Sequence, residues 1–160
     1  MLRRTTHAVA GPHRVVVETD DPALQICDFV AFADAGFDVV VCSGPDAGHP
    51  CGAVAGAGCA LVAEADVVFN DLRDPAVQRR VAAAVRQTAP AVPMVVRVAP
   101  GCEDTLPAGC EPLTSVTSLS GQTAALRRAV THEVGAQPPR GQDVRGGASA
   151  ASNTAVTSGA

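Results

Sequence analysis

The sequence predicts an α/β fold, a small doubly wound parallel sheet of about five strands with the helices after strands 2 and 4 shortened or missing. Two observations carry that expectation. Short runs rich in Val alternate with longer stretches whose apolar residues recur at helical spacing, the pattern of strand–helix–strand units. Turn residues and helix-opening prolines stand at the junctions between them. The 160 residues are 47% apolar, enough for one packed core at this length. That core must be built from small side chains, because the chain has four Phe and neither Trp nor Tyr.

Residues 1–13 are polar, begin nothing periodic and read as a flexible N-terminal segment. Arg14-Val15-Val16-Val17-Glu18 is the first strand. Thr19-Asp20-Asp21-Pro22 then turns the chain into a helix with Pro in its first turn. In that helix Leu24, Cys27, Ala31 and Ala35 form an apolar stripe, which Ile26, Phe29, Val30 and Ala33 widen, and Gly36 punctuates its end. Asp38-Val39-Val40-Val41-Cys42 is a second strand of the kind buried on both faces. Pro45, Gly48, Pro50, Gly52, Gly56 and Gly58 argue against a long helix after it, leaving a short one near Cys59–Glu64. Residues 65–70 form a third strand, and Pro75 opens a helix with Val77, Val81, Ala84 and Val85 on one face and its arginines largely outside. Residues 93–98 form a fourth strand, residues 99–111 a loop with at most one helical turn, and Pro112–Val116 a short fifth strand. A last helix runs from about Ser120 to Glu133. The domain is thus 14–134, and residues 135–160, dominated by Gly, Ala, Ser, Thr, Pro and Gln, are expected to be disordered.

Charge and hydropathy exclude several classes. The apolar runs are far too short to span a membrane, and Arg3 and Arg4 precede no signal-peptide stretch, so a soluble cytoplasmic protein is expected. Net charge is −4, and residues 14–133 hold 15 acids against 8 arginines, a net of −7. Such a domain is ill suited to hold nucleic-acid phosphates. All twelve basic residues are Arg, which removes every mechanism that needs a lysine. No G-x-G-x-x-G follows a strand, and no G-x-S-x-G elbow exists.

In parallel sheets, sites lie beyond the carboxyl ends of the strands. There the first and third strands carry Asp20, Asp21 and Asp71. Neighbouring carboxylates in such a place suit Mg²⁺, a hard cation that prefers oxygen ligands, and a metal there would stabilise charge in phosphoryl transfer. The same residues also suit ordinary turn and N-cap chemistry.

The segment Arg14-Val-Val-Val-Glu-Thr-Asp-Asp-Pro-Ala-Leu24 resembles the opening of a response-regulator receiver domain of two-component signalling. Asp66-Val-Val-Phe-Asn-Asp71-Leu-Arg-Asp-Pro75 is similar to that family's third strand, with Asp71 on the phosphoacceptor position. Pro93–Ala99 resembles its fourth strand, and Leu119–Val130 its last helix. The resemblance implies a flavodoxin-like fold over residues 14 to about 133, a phosphorelay setting, Mg²⁺ as cofactor, and a sensor kinase or downstream signalling protein as partner. The departures are equally specific. Thr19 and Asp20 fall where the family has an acidic pair, with Asp20 and Asp21 as an alternative frame. Val98 falls on the Ser or Thr that senses the phosphoryl group, and Thr117 lies near the family's lysine. These losses imply a pseudo-receiver that keeps the fold and gives up ordinary switching.

The six cysteines divide by place. Cys27 and Cys42 lie on the first helix and second strand, where a thiol acts as a small buried hydrophobe. Cys51, Cys59, Cys102 and Cys110 lie in loops, with His49 near Cys51, at spacings outside the usual zinc patterns. Free thiols, a reversible disulfide and a metal site all remain open for these four. The function expected is a stand-alone, single-domain, non-enzymatic protein-interaction module. The alternatives are an atypical response regulator phosphorylated on Asp71 and a thiol-based redox or metal-responsive protein.

Overall fold

A computed structural model describes residues 11–45 and 50–134. The expectations for residues 1–10, for His49 and for the tail 135–160 lie outside the described residues. Five strands, β1 (Arg14–Glu18), β2 (Asp38–Cys42), β3 (Val67–Asn70), β4 (Met94–Val98) and β5 (Cys110–Thr114), pair in parallel in the order β2-β1-β3-β4-β5. Helices α1 (Pro22–Asp34), α2 (Ala60–Ala63) and α3 (Pro75–Thr88) make the crossovers, a 3₁₀ turn at Glu103–Thr105 lies between β4 and β5, and α4 (Leu119–Val134) follows β5. The short α2 and the 3₁₀ turn match the shortened second and fourth connections that the glycines and prolines predict. The reversal of strand order at β1 places the carboxyl ends of β1 and β3 side by side, where a parallel sheet opens its crevice.

Side-chain alternation builds two cores. Val15, Val17, Val67, Phe69 and Val95 point to the face covered by α1 and α4, where they meet Phe32, Leu126 and Val130. Val16, Val68, Met94, Val96 and Val98 point to the opposite face, under α2 and α3, where they meet Val62, Val81 and Val85. Because β1, β3 and β4 are covered on both sides, their sequences are continuous β-branched runs. Phe32 and Phe69 meet edge to face in this core, with ring centroids 5.2 Å apart, an arrangement aromatic pairs favour.

Helix starts follow from local chemistry. Asp21 caps α1 by accepting from the Ala23 amide, and Asp74 caps α3 by accepting from those of Ala76 and Val77. A proline occupies the first turn of each, where its missing N–H leaves nothing unpaired. Gly36, at φ +90°, ends the first helical segment in a conformation that L side chains rarely adopt. The glycine-rich stretch after β2 folds back on itself so closely that a Cβ on Gly52 would collide with the Gly58 carbonyl oxygen.

Four expectations change. Strand β2 is half-buried along its whole length, because it forms a sheet edge and α2 is too short to cover it. The fifth strand begins at Cys110, two residues before the predicted Pro112, since its register is set by pairing Met94 with Cys110. Cys27 is exposed and Cys42 half-buried, so neither is a fully buried hydrophobe. The largest change is in α1, whose buried residues are Asp28 and Phe32, while Ile26, Phe29 and Val30 face outward. No helix among the described residues is long and apolar enough to cross a membrane.

Candidate functional site

The site is built where β1, β3 and β4 end. Asp71 follows β3, its amide donating to the Glu18 carbonyl at 2.8 Å, so the sheet's own pairing carries the chain to this point. Its carboxylate does not meet Asp20 and Asp21 in one cluster. Instead Arg97, on β4, donates to Asp71 Oδ2 at 2.8 Å, with both side chains largely buried. The Arg97 guanidinium also reaches the Ser115 carbonyl at 3.4 Å. Burial pushes the Asp71 carboxyl above the usual carboxylate range; the Arg97 charge pulls it back and Asp20 adds a smaller push upward.

Asp20 and Asp21 are engaged elsewhere. Asp20 Oδ1 accepts from the Arg73 amide at 3.0 Å. Asp21 pairs with the Arg73 guanidinium while capping α1. Thr19, fully buried, donates its amide to the Cys42 carbonyl, and its hydroxyl oxygen accepts from the Asp21 amide. The three aspartates offered for Mg²⁺ therefore each have a partner already. Among the described residues no three His, Cys, Asp or Glu side chains gather to hold a metal. Asp20 lies near enough to Asp71 for its charge to act there, so these two are the carboxylates that would hold a divalent cation, which needs only one or two of them with water.

Two further carboxyls lie beneath this layer, and sequence reasoning missed both. Glu18, the last residue of β1, is buried against Asn70 of β3, whose side-chain amide donates to Oε2 at 2.8 Å. Desolvation raises its pKa to about 7, against a smaller lowering by that hydrogen bond. Asp28 enters from the inner face of α1, almost wholly buried, with Oδ2 lacking a hydrogen-bond partner. Its pKa rises to about 6, first through burial and then through the nearby Asp71 charge, while Arg97 opposes the rise. Arg97 thus serves two carboxyls at once. The sequence held a signal for it: an arginine inside an otherwise apolar strand reads as the partner of a buried charge. Asp28 stands four residues before Phe32, and the same helical spacing places both on one face.

Val98 and Thr117, which the sequence resemblance sets against the family's hydroxyl and lysine positions, have local partners of their own. Val98 lies in the core under α3, and its methyl groups offer no donor. Thr117 is tied into the start of α4, its hydroxyl 3.1 Å from that of Thr114 and its carbonyl accepting from Gln122. Arg97 supplies a fixed cation at Asp71 in a chain without lysine. The four loop thiols do not converge. Cys51 and Cys59 lie close enough to Cys42 to influence its ionisation, at the β2 edge. Cys110 lies on β5, at the opposite edge, 3.9 Å from the Met94 sulfur.

No protein-family sequence model matches the chain, and no curated protein matches it in sequence. Solved structures do match in shape. A CheY-like response-regulator receiver domain from Methanospirillum hungatei superposes with a TM-score of 0.62 at 12% identity, covering 79% of this chain and all of that one. The receiver domain of nitrogen regulatory protein C, in its apo form, gives 0.57 at 21% identity, covering 75% of this chain and 95% of that one. The receiver domain of a sensor histidine kinase from Pseudomonas aeruginosa, holding magnesium in its active-site cleft, gives 0.57 at 17%, covering 76% and 99%. At these identities the likeness is one of fold. The strand order and these superpositions together give the chain a receiver-like fold of flavodoxin-like architecture.

Proposed function

We propose that this chain is a non-enzymatic signalling module that docks on a protein partner, a sensor kinase or downstream signalling protein in the cytoplasm, without an ordinary phosphoryl-driven switch. The observation that carries the reading is the ion pair between Asp71 and Arg97, together with Val98 in the core beside it. In a switching receiver the acceptor carboxylate must be free to attack and a hydroxyl must follow the new phosphoryl group. Here the carboxylate is held by a fixed cation, and the residue in the hydroxyl position is packed among valines. Asp20 and Asp21 support the same reading, because Arg73 occupies them both.

One observation favours a second reading, an atypical response regulator phosphorylated on Asp71. A guanidinium beside the acceptor would also stabilise the charge of an added phosphoryl group. The experiment that separates the two is incubation with acetyl phosphate and Mg²⁺, read by intact mass, with Asp71→Asn as the control. The first reading expects no stoichiometric adduct. A full, Asp71-dependent gain of one phosphoryl group would establish the second in its place.

A further inference from the structure

Three of the six thiols meet at one edge of the sheet, away from Asp71. Cys42 ends β2, and the glycine-rich stretch that follows returns across the face under α2, where buried Ala53 holds it down. Cys51 stands at the start of this loop, and Cys59 leaves it as the residue before α2. All three side chains are half-buried against the same core, that of Val62 and Val68. Between Cys51 and Cys59 the chain closes on itself. The Ala57 amide donates to the Gly52 carbonyl at 3.0 Å, and the Gly52 and Gly58 backbones touch in a contact that only a residue without Cβ permits. The two cysteines are the residues immediately outside this neck, one on each side. Such a closure brings flanking residues into the range of separations that a disulfide bridges. Cys42 completes the group, its sulfur accepting from the Gly44 amide at 3.4 Å. Burial pushes its thiol above the usual range; the Gly44 amide opposes that, and the nearby Glu18, Cys59 and Cys51 add to it. Thiol–disulfide chemistry runs through the thiolate, so Cys42 is held out of it.

We infer that Cys51 and Cys59 form a reversible disulfide across the neck of the loop, with a small-molecule disulfide as the oxidant and Cys42 left as a thiol beside it. One cysteine thiolate attacks a sulfur of the small disulfide, forming a mixed disulfide and releasing one small thiol. The second cysteine, as thiolate, then displaces the other small thiol and closes the Cys51–Cys59 bond. The pair loses two electrons and two protons, and the small disulfide leaves as two thiols. Among the described residues no three His, Cys, Asp or Glu side chains gather to hold a metal, so the group favours a bond between two sulfurs. The inference does not depend on whether Asp71 accepts a phosphoryl group.

Disulfide mapping of the full chain tests it. The reduced chain, freed of reductant, is equilibrated with oxidised glutathione, quenched with acid, alkylated under denaturing conditions and cleaved on the amino side of aspartate. That cleavage sorts the thiols: Cys27, Cys42, Cys102 and Cys110 each fall on a segment of their own, and Cys51 and Cys59 share residues 46–65. The expected result is a segment 46–65 lighter by two hydrogens and closed to alkylation, reopened by dithiothreitol, with Cys42 fully alkylated. It should form at about tenfold less oxidised glutathione than mixed disulfides at the exposed Cys27 and Cys102, because the second thiol is held in place. Cys51→Ser and Cys59→Ser should each abolish the closed segment, with the circular dichroism spectrum unchanged. Residues 46–65 joined to residues 38–45 would put Cys42 in the bond and overturn the pairing. Glutathione added to Cys51 or Cys59 with no closed segment overturns the proposal. So does zinc retained by the reduced chain at one per molecule and lost in either serine variant.

Discussion

At the scale of single residues, three carboxyls and one guanidinium set the chemistry of this domain. Glu18 and Asp28 are buried acids with raised pKa values, about 7 and about 6, and desolvation is the main cause for each. Charges able to act on Asp28 come from Asp71 and Arg97, and Glu18 has Asn70 as its hydrogen-bonding neighbour. An acid whose folded pKa lies above its unfolded value binds protons more tightly in the folded state. Its contribution to stability therefore falls as pH rises between the two values. For these groups the window runs from about pH 4 to about pH 7, and the full penalty is present above it. Each unit of raised pKa corresponds to about 1.4 kcal/mol. We predict that Glu18→Gln and Asp28→Asn each stabilise the fold at pH 8, by on the order of 1–3 kcal/mol, and change little at pH 4. Thermal unfolding across that range checks it; variants that destabilise equally at both pH values would show that the raised pKa values play no part.

At the scale of elements, Arg97 joins the end of β4 to the turn after β3. Removing one partner of a largely buried ion pair leaves the other charge uncompensated, at a cost on the order of 3 kcal/mol. Arg97→Leu should destabilise by about that amount and steepen the loss of stability between pH 5 and 8, since Asp28 and Asp71 then share no cation. Arg97→Leu combined with Asp71→Asn should restore most of the loss, because the remaining groups are neutral or can bind a proton. Denaturant unfolding at two pH values reads both effects, and a double variant no more stable than the single one would contradict the pairing. The sequence made the strands and their order of appearance legible, because Val runs and helix-opening prolines are local signals. It did not show the role of Arg97, since the link from Arg97 to Asp71 exists only once β3 and β4 are paired. The second strand was misjudged for a similar reason: Val39-Val40-Val41 reads as a fully buried strand, and only the strand order makes it an edge. In α1 the period was legible and Ala31 and Ala35 of the predicted stripe pack on the core, but Ile26, Phe29 and Val30, read as widening it, face outward. Two apolar stripes compete there, and the sheet takes the one that contains Phe32 and, with it, Asp28.

At the scale of the whole molecule, a receiver-like fold carries two arginine–carboxylate pairs at the carboxyl edge of its sheet. The strand order positions Asp71 where the fold's crevice opens; Arg97 pairs with Asp71 and the Arg73 guanidinium with Asp21, while Asp20 accepts from the Arg73 backbone amide. On the proposed reading, Val98 provides no hydroxyl through which a phosphoryl group could act on the β4–β5 edge. That edge is also clamped, with the Ser115 amide donating to the Val98 carbonyl at 2.7 Å. On the proposed reading, the module presents one conformation to its partner. The measurement that tests this most directly is the amide NMR spectrum of the full chain before and after acetyl phosphate with Mg²⁺. The predicted result is that the amides of Arg97, Val98 and Thr114–Thr117 keep their positions. Concerted, Asp71-dependent shifts through those residues would contradict the account.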